Sequence, residues 1–209
     1  MKSIRQGSSH VLAGIMCTLA VATGLSGTAV RADTSAAKLV AWKLDPNSSP
    51  ARYAVVEPTQ TNLNVASVVL ACENAHDRNV LQLQLYLTNE GPLLPKGADA
   101  SRLKADPRAE VEIDGKIFLV SLLFGDDYAV LADGEMGGFA GVSESLVDAM
   151  AKGKTMNLRL DLLAEPPGTK AAFDGAVVID LHADGSSAPI EAMRQCVSPM
   201  KNRSVGLTR

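Results

Sequence analysis

Four carboxylates fall close together in this chain: Asp126, Asp127, Asp133 and Glu135. Two carboxyl groups at a fixed separation can divide acid and base roles in hydrolysis, as glycosidases do. The set lacks the ligand spacing of a calcium loop. Gly141-Val142-Ser143-Glu144-Ser145 approaches the nucleophile elbow of serine hydrolases. That elbow needs Gly-x-Ser-x-Gly, because its sharp strand-to-helix turn leaves no room beside the serine. The second glycine is missing here, and Ser143 reads better as a helix N-cap. Gly153-Lys154-Thr155 has the ending of a phosphate loop, but Asp148 stands where the first loop glycine belongs. The segment also runs from helix to strand, the reverse of the phosphate-loop order. Gly134 to Gly141 lacks dinucleotide-binding spacing and reads as a flexible loop.

The first 32 residues read as an address. Lys2 and Arg5 precede an apolar stretch from Val11 to Leu25, and Val30-Arg31-Ala32 supplies the compact residues that signal peptidase accepts. Cleavage is expected between Ala32 and Asp33. The apolar stretch would cover about 22 Å as a helix, short of the ~30 Å hydrocarbon core. Cys17 lies mid-stretch behind Met16, which does not suit lipidation. Removing 32 of the 209 residues leaves 177, and the formal charge moves from −3 to −6, because the leader holds three basic residues and no acid. Two cysteines remain, Cys72 and Cys196. An even pair in an exported chain predicts one disulfide.

Two histidines also remain. His76 beside Glu73 and Asp77 has metal-capable side chains but reads as a polar turn, and His182 stands apart. No catalytic residue, metal ligand or cofactor site is assigned. The mild acidity carries no electrostatic footprint for nucleic acid. Eight aromatic residues among 209 are few for sugar platforms or for stacking on single strands. No second apolar stretch reaches membrane-spanning length. Asn47-Ser48-Ser49 matches a glycosylation sequon, relevant only to a eukaryotic secretory route.

The elements that must position these residues read mostly as strands. Leu81, Leu83, Leu85 and Leu87 alternate with Gln82, Gln84 and Tyr86, which predicts a strand with one buried and one wet face. Met156, Leu158, Leu160 and Leu162 alternate with Asn157, Arg159 and Asp161 in the same way. Further strands are expected at Leu39–Leu44 with Trp42, Tyr53–Val56, Val65–Cys72, Glu110–Ile113, Ile117–Phe124, Tyr128–Ala132 and Phe173–Leu181. Asp114-Gly115 is a hairpin turn pair. Residues 73–79 read as a turn and 91–107 as a loop-rich connection. Ser143 and Gly153 bracket one helix, with Leu146, Val147 and Met150 on its apolar face. Ser186-Ser187 and Pro189 open a second, with Ile190 and Met193 inward. The expected domain, residues 33–198, is an antiparallel β-sandwich or partly open barrel with two short helices and one disulfide. Residues 199–209 read as a disordered basic tail.

Val68-Val69-Leu70-Ala71-Cys72-Glu73, the Leu146–Gly153 helix end before Met156-Asn157-Leu158-Arg159-Leu160, and Phe173-Asp174-Gly175 leading to Met193-Arg194-Gln195-Cys196 form a layout. It resembles secreted bacterial proteins of the invasion-associated locus B type and the periplasmic accessory proteins of type VI secretion. The locus B proteins usually carry more cysteines than this chain. The resemblance implies a periplasmic, non-catalytic role in the envelope or at the host, and it transfers no functional residue. The expected function is an exported binding or accessory protein of the bacterial cell envelope, with an envelope protein as partner. The alternatives are an envelope hydrolase using the acidic cluster and a small inhibitor of an envelope enzyme.

Overall fold

Alternation of apolar and polar residues becomes strand after strand, joined edge to edge. The computed structural model describes residues 40–47, 52–75, 78–88, 91–136 and 138–197. The leader with Cys17, Ala32 and Asp33, the sequon serines, the His76–Asp77 pair and the tail from Pro199 lie outside the described residues. In chain order the elements are β1 (Lys43–Leu44), β2 (Tyr53–Val56), β3 (Gln60–Thr61), β4 (Val65–Ala75), β5 (Arg78–Leu87), β6 (Leu103–Ile113), β7 (Lys116–Phe124), β8 (Tyr128–Ala132), β9 (Gly134–Met136), β10 (Phe139–Gly141), α1 (Glu144–Lys152), β11 (Thr155–Leu163), β12 (Gly175–Asp180) and α2 (Ser187–Val197). The fold is mainly β. Ten strands form one curled antiparallel sheet, a half-barrel, in the order β1-β2-β4-β5-β8-β7-β6-β11-β12-β3, and β9 pairs with β10 as a separate hairpin.

Chain connectivity forces the curl. β2 stands second in the order and β3 last, yet only Glu57, Pro58 and Thr59 join them. The eight strand spacings between them, laid flat, would cover about 38 Å. Three linking residues reach roughly 14 Å at most. The two ends of the sheet are therefore drawn towards each other, and one face becomes an interior.

That interior is apolar. Met156, Leu158, Leu160 and Leu162 of β11 are fully buried, as are Leu83 and Leu85 of β5. Leu146, Val147 and Met150 of α1 and Ile190 and Met193 of α2 join the same core. Ser143 caps α1 as its spacing predicts, its hydroxyl accepting the Leu146 N–H. α2 packs on β2, β4 and β5, with α1 beside it. Cys72 on β4 and Cys196 in α2 form the expected disulfide, their Cα atoms 6.3 Å apart across a sequence separation of 124. The Asn79 side chain donates to the Cys196 carbonyl, so that end of the helix is held twice.

Several boundaries differ from the sequence reading. Of the strand expected over Leu39–Leu44, the described part from Val40 is strand only at Lys43–Leu44, and Trp42 is a buried core residue outside it. Residues 73–75 and 78–79 extend the β4–β5 ladder instead of forming a turn. Leu103 to Pro107, read as loop, belong to β6. Pro107 is tolerated because the ladder to β7 stops at Ala109, so its missing N–H falls on an unpaired side. Gly134 to Gly141 is not a loose loop but the β9–β10 hairpin. Gly153 ends α1 without a left-handed conformation, at φ −76° and ψ 170°. Its reason is space: a Cβ there would lie 2.5 Å from Ile113 Cγ2 and 2.7 Å from the Ala149 carbonyl. Gln84, expected to be wet, is 1% exposed, sealed by the cross-strand neighbours Val69 and Val130.

Two outcomes test this packing. Denatured residues 33–209 should release two thiols only after reduction, and reduction should cost the fold about 2–5 kcal/mol in a denaturant titration. Gly153→Ala should cost about 1–3 kcal/mol by the same measurement, since neither backbone nor Ile113 can yield freely.

Candidate functional site

The carboxylates that opened the sequence reading do not converge. Asp126 and Asp127 lie in the turn before β8, and Asp133 and Glu135 follow its other end. Five strand residues at ~3.3 Å each keep the two pairs roughly 17 Å apart. Asp133 is instead brought to Ser143: its carboxylate accepts both the Ser143 N–H and the Ser143 hydroxyl. The pair locks the start of α1, and His182 is exposed on the segment after β12. The phosphate-loop resemblance resolves similarly. The Lys154 and Thr155 N–H groups donate to the carboxylate of Asp114, in the β6–β7 turn. Among the described residues no group of three His, Cys, Asp or Glu side chains is arranged to hold a metal ion.

The densest charge lies where no motif pointed, on the outer face of β6 and β11. Asp161 is completely buried there. It accepts from Lys104 and from both Nε and Nη2 of Arg108. Lys104 also donates to Glu165 at 2.9 Å, and Glu165 accepts the Ala172 N–H. Arg159 pairs with Glu110 and, at 3.4 Å, with Glu112. The Phe173 ring lies 5.9 Å from the Arg108 guanidinium and 5.2 Å from that of Arg159. Opposite charges meet within the network, so it fastens β6 to β11 and covers that face with a single aromatic ring.

The other half of the outer face is different. β7 changes partner along its length: Lys116 to Val120 pair with β6, and Ser121 to Phe124 pair with β8. The two-residue turn at Asp114-Gly115, with φ of 49° and 86°, sets which backbone groups face which side. Lys116, Phe118 and Val120 turn their N–H and C=O towards β6. Ile117 and Leu119 turn theirs towards the side that β8 leaves at Asp133. Among the described residues no strand pairs with Ile117 or Leu119 on that side.

Their side chains are exposed as well. Leu119 is 79% exposed and Ile117 51%, with Leu123 at 46%. Beside them lies a groove of about 680 Å³. Leu119, Ser121, Leu123 and Ala132 line one side of it, and Asp133, Gly134, Glu135, Gly138 and Ala140 the other. The hairpin wall is fixed in place: the Val142 N–H donates to the Leu81 carbonyl, and the Gln82 side chain donates to the Ala140 carbonyl. The wider outer face of β5 and β8 carries a stacked pair, Tyr86 and Tyr128, with ring centroids 5.4 Å apart. Burial, and then Tyr128, Tyr53, Glu73 and Asp127, push the Tyr86 hydroxyl above its usual pKa.

An unpaired, apolar strand edge is what proteins ordinarily cover, shorten or charge, because it templates association. Sequence reading missed it. The signal was present as Ile117-Phe118-Leu119-Val120, apolar on both faces where a half-buried strand alternates. Comparison with protein-family models, curated proteins and solved structures finds no match.

The charge network generates two expectations. Asp161→Ala should cost about 3 kcal/mol in a denaturant titration, because Lys104 and Arg108 lose their shared carboxylate. Acid should also weaken the fold. Lys104 holds Glu165, Arg194 holds Asp148, and the Lys154 and Thr155 amides hold Asp114, each below the usual carboxylate pKa. A depressed carboxylate stabilises above its unfolded pKa and loses that contribution as pH falls through the folded one. The denaturation midpoint should therefore be level near neutrality and fall below about pH 4.

Proposed function

We propose that this chain is an exported binding protein of the bacterial cell envelope, and that it holds its partner along the groove between β7 and the β9–β10 hairpin. The observation that carries the reading is the edge at Ile117 and Leu119, where apolar side chains and backbone groups with no strand partner among the described residues are presented together. A leader of signal-peptide pattern and a disulfide joining β4 to α2 are consistent with work outside the reducing cytosol. Asp133 is occupied at the start of α1, and the strand β8 separates Asp126 and Asp127 from Asp133 and Glu135, which favours binding over hydrolysis. A partner strand would add to the sheet by main-chain hydrogen bonds, with alternate side chains meeting Ile117 and Leu119.

Cell fractionation followed by affinity capture under cross-linking tests this. The chain should be found outside the cytosol, with a defined partner. Leu119→Arg should lose at least about tenfold of that partner while keeping its circular dichroism, since the replaced side chain is 79% exposed and takes no part in the core. Cytosolic retention, or an unchanged capture profile in the variant, would overturn the proposal.

A further inference from the structure

The groove runs beside the open edge of β7, a shape and a set of backbone groups that an extended segment fits. The β9–β10 hairpin, held to β5 and facing β7 across the groove, stands beside the edge that an added strand would take. We infer that this segment is residues 199–209 of the same chain, added as a strand along Ile117 and Leu119. The inference rests on the reading of the groove as a strand-binding site and names its resident.

Three observations support that choice. The first is reach. α2 ends at Val197, and the Cys196 carbonyl is held by Asn79 on β5. β5 is separated from β7 by β8 alone, two spacings or about 10 Å across the sheet. Twelve further residues extend to roughly 40 Å. The second is charge. Asp133 and Glu135 line the groove, and Glu135 is exposed there. Lys201, Arg203 and Arg209 carry the opposite sign, with no acidic residue between Pro199 and Arg209. The third is period. Lys201, Arg203, Val205, Leu207 and Arg209 alternate with Asn202, Ser204, Gly206 and Thr208. As a strand, this segment puts Val205 and Leu207 on one face with the basic residues, to lie beside Leu119 and Ile117, and turns small residues to the other. A partner that enters the groove must displace this strand, so the tail sets the threshold for binding.

Amide hydrogen exchange at Ile117 and Leu119, read by NMR on residues 33–209 with the disulfide intact, tests this. Both amides should be protected, independently of protein concentration. Ending the chain after Ser198 should speed their exchange at least about tenfold while core amides on β11 stay unchanged. A synthetic peptide of residues 199–209 should restore protection in the shortened chain. In the full chain, the double variant Val205→Pro and Leu207→Pro should match the truncation. Equal exchange with and without the tail would overturn the inference, and so would protection that rises with concentration, which would assign the edge to a second copy. These outcomes are independent of partner capture: a tail that fails to protect leaves the captured partner standing, and a protected edge with no captured partner removes the envelope-binding reading instead.

Discussion

The structure depends on one strand serving two neighbours in succession. β7 pairs with β6 through Val120 and with β8 from Ser121 onwards. A strand that kept one partner on each side throughout would extend a flat sheet. By handing over midway, β7 lets the β6–β11–β12 half turn away from the β8–β5–β4 half, and the interior between them fills with leucine, valine and methionine. The short link from β2 to β3 then draws the far ends together. The handover has a consequence at each end of β7. Near Phe124 it leaves β6 unpaired, where Pro107 is accepted. Near Leu119 it leaves β7 itself without a strand partner among the described residues.

The two outer faces answer that geometry differently. On β6 and β11 the lysine, arginine and carboxylate side chains neutralise one another around a buried Asp161, and Phe173 lies over the guanidinium groups. Such a network specifies register strongly, since a slip of one residue would turn Asp161 into the apolar core. The face beside β7 offers few charges of its own and a hairpin fixed at a distance. One half of the sheet is therefore closed by its own side chains, and the other leaves Ile117, Leu119 and Leu123 exposed.

Much of the architecture was legible in residue spacing. The leucine alternations of β5 and β11 marked two central strands, Asp114-Gly115 marked the hairpin, and Ser143 with its apolar face marked α1. The pairing of Cys72 with Cys196 followed from the removal of Cys17 with the expected leader. What failed to show was anything decided by neighbours far away in sequence. Gln84 is buried because Val69 and Val130 flank it, and Gly153 is required by Ile113, forty residues earlier. The groove was least legible of all. It exists only because β8 leaves β7 at Asp133, and local pattern carries no information about where two strands part. Its trace was an apolar run too regular in hydrophobicity for a strand with one wet face.

The central claim is that the β7 edge, and not the rest of the outer surface, is where an extended segment docks. Photo-cross-linking in intact cells tests it most directly, with a photoreactive residue placed at position 119 and, as a control on another exposed surface, at position 170. A discrete adduct is expected from position 119, to residues 199–209 or to a single partner segment, and none from position 170. Equal yields from both positions, or none from position 119, would contradict the claim.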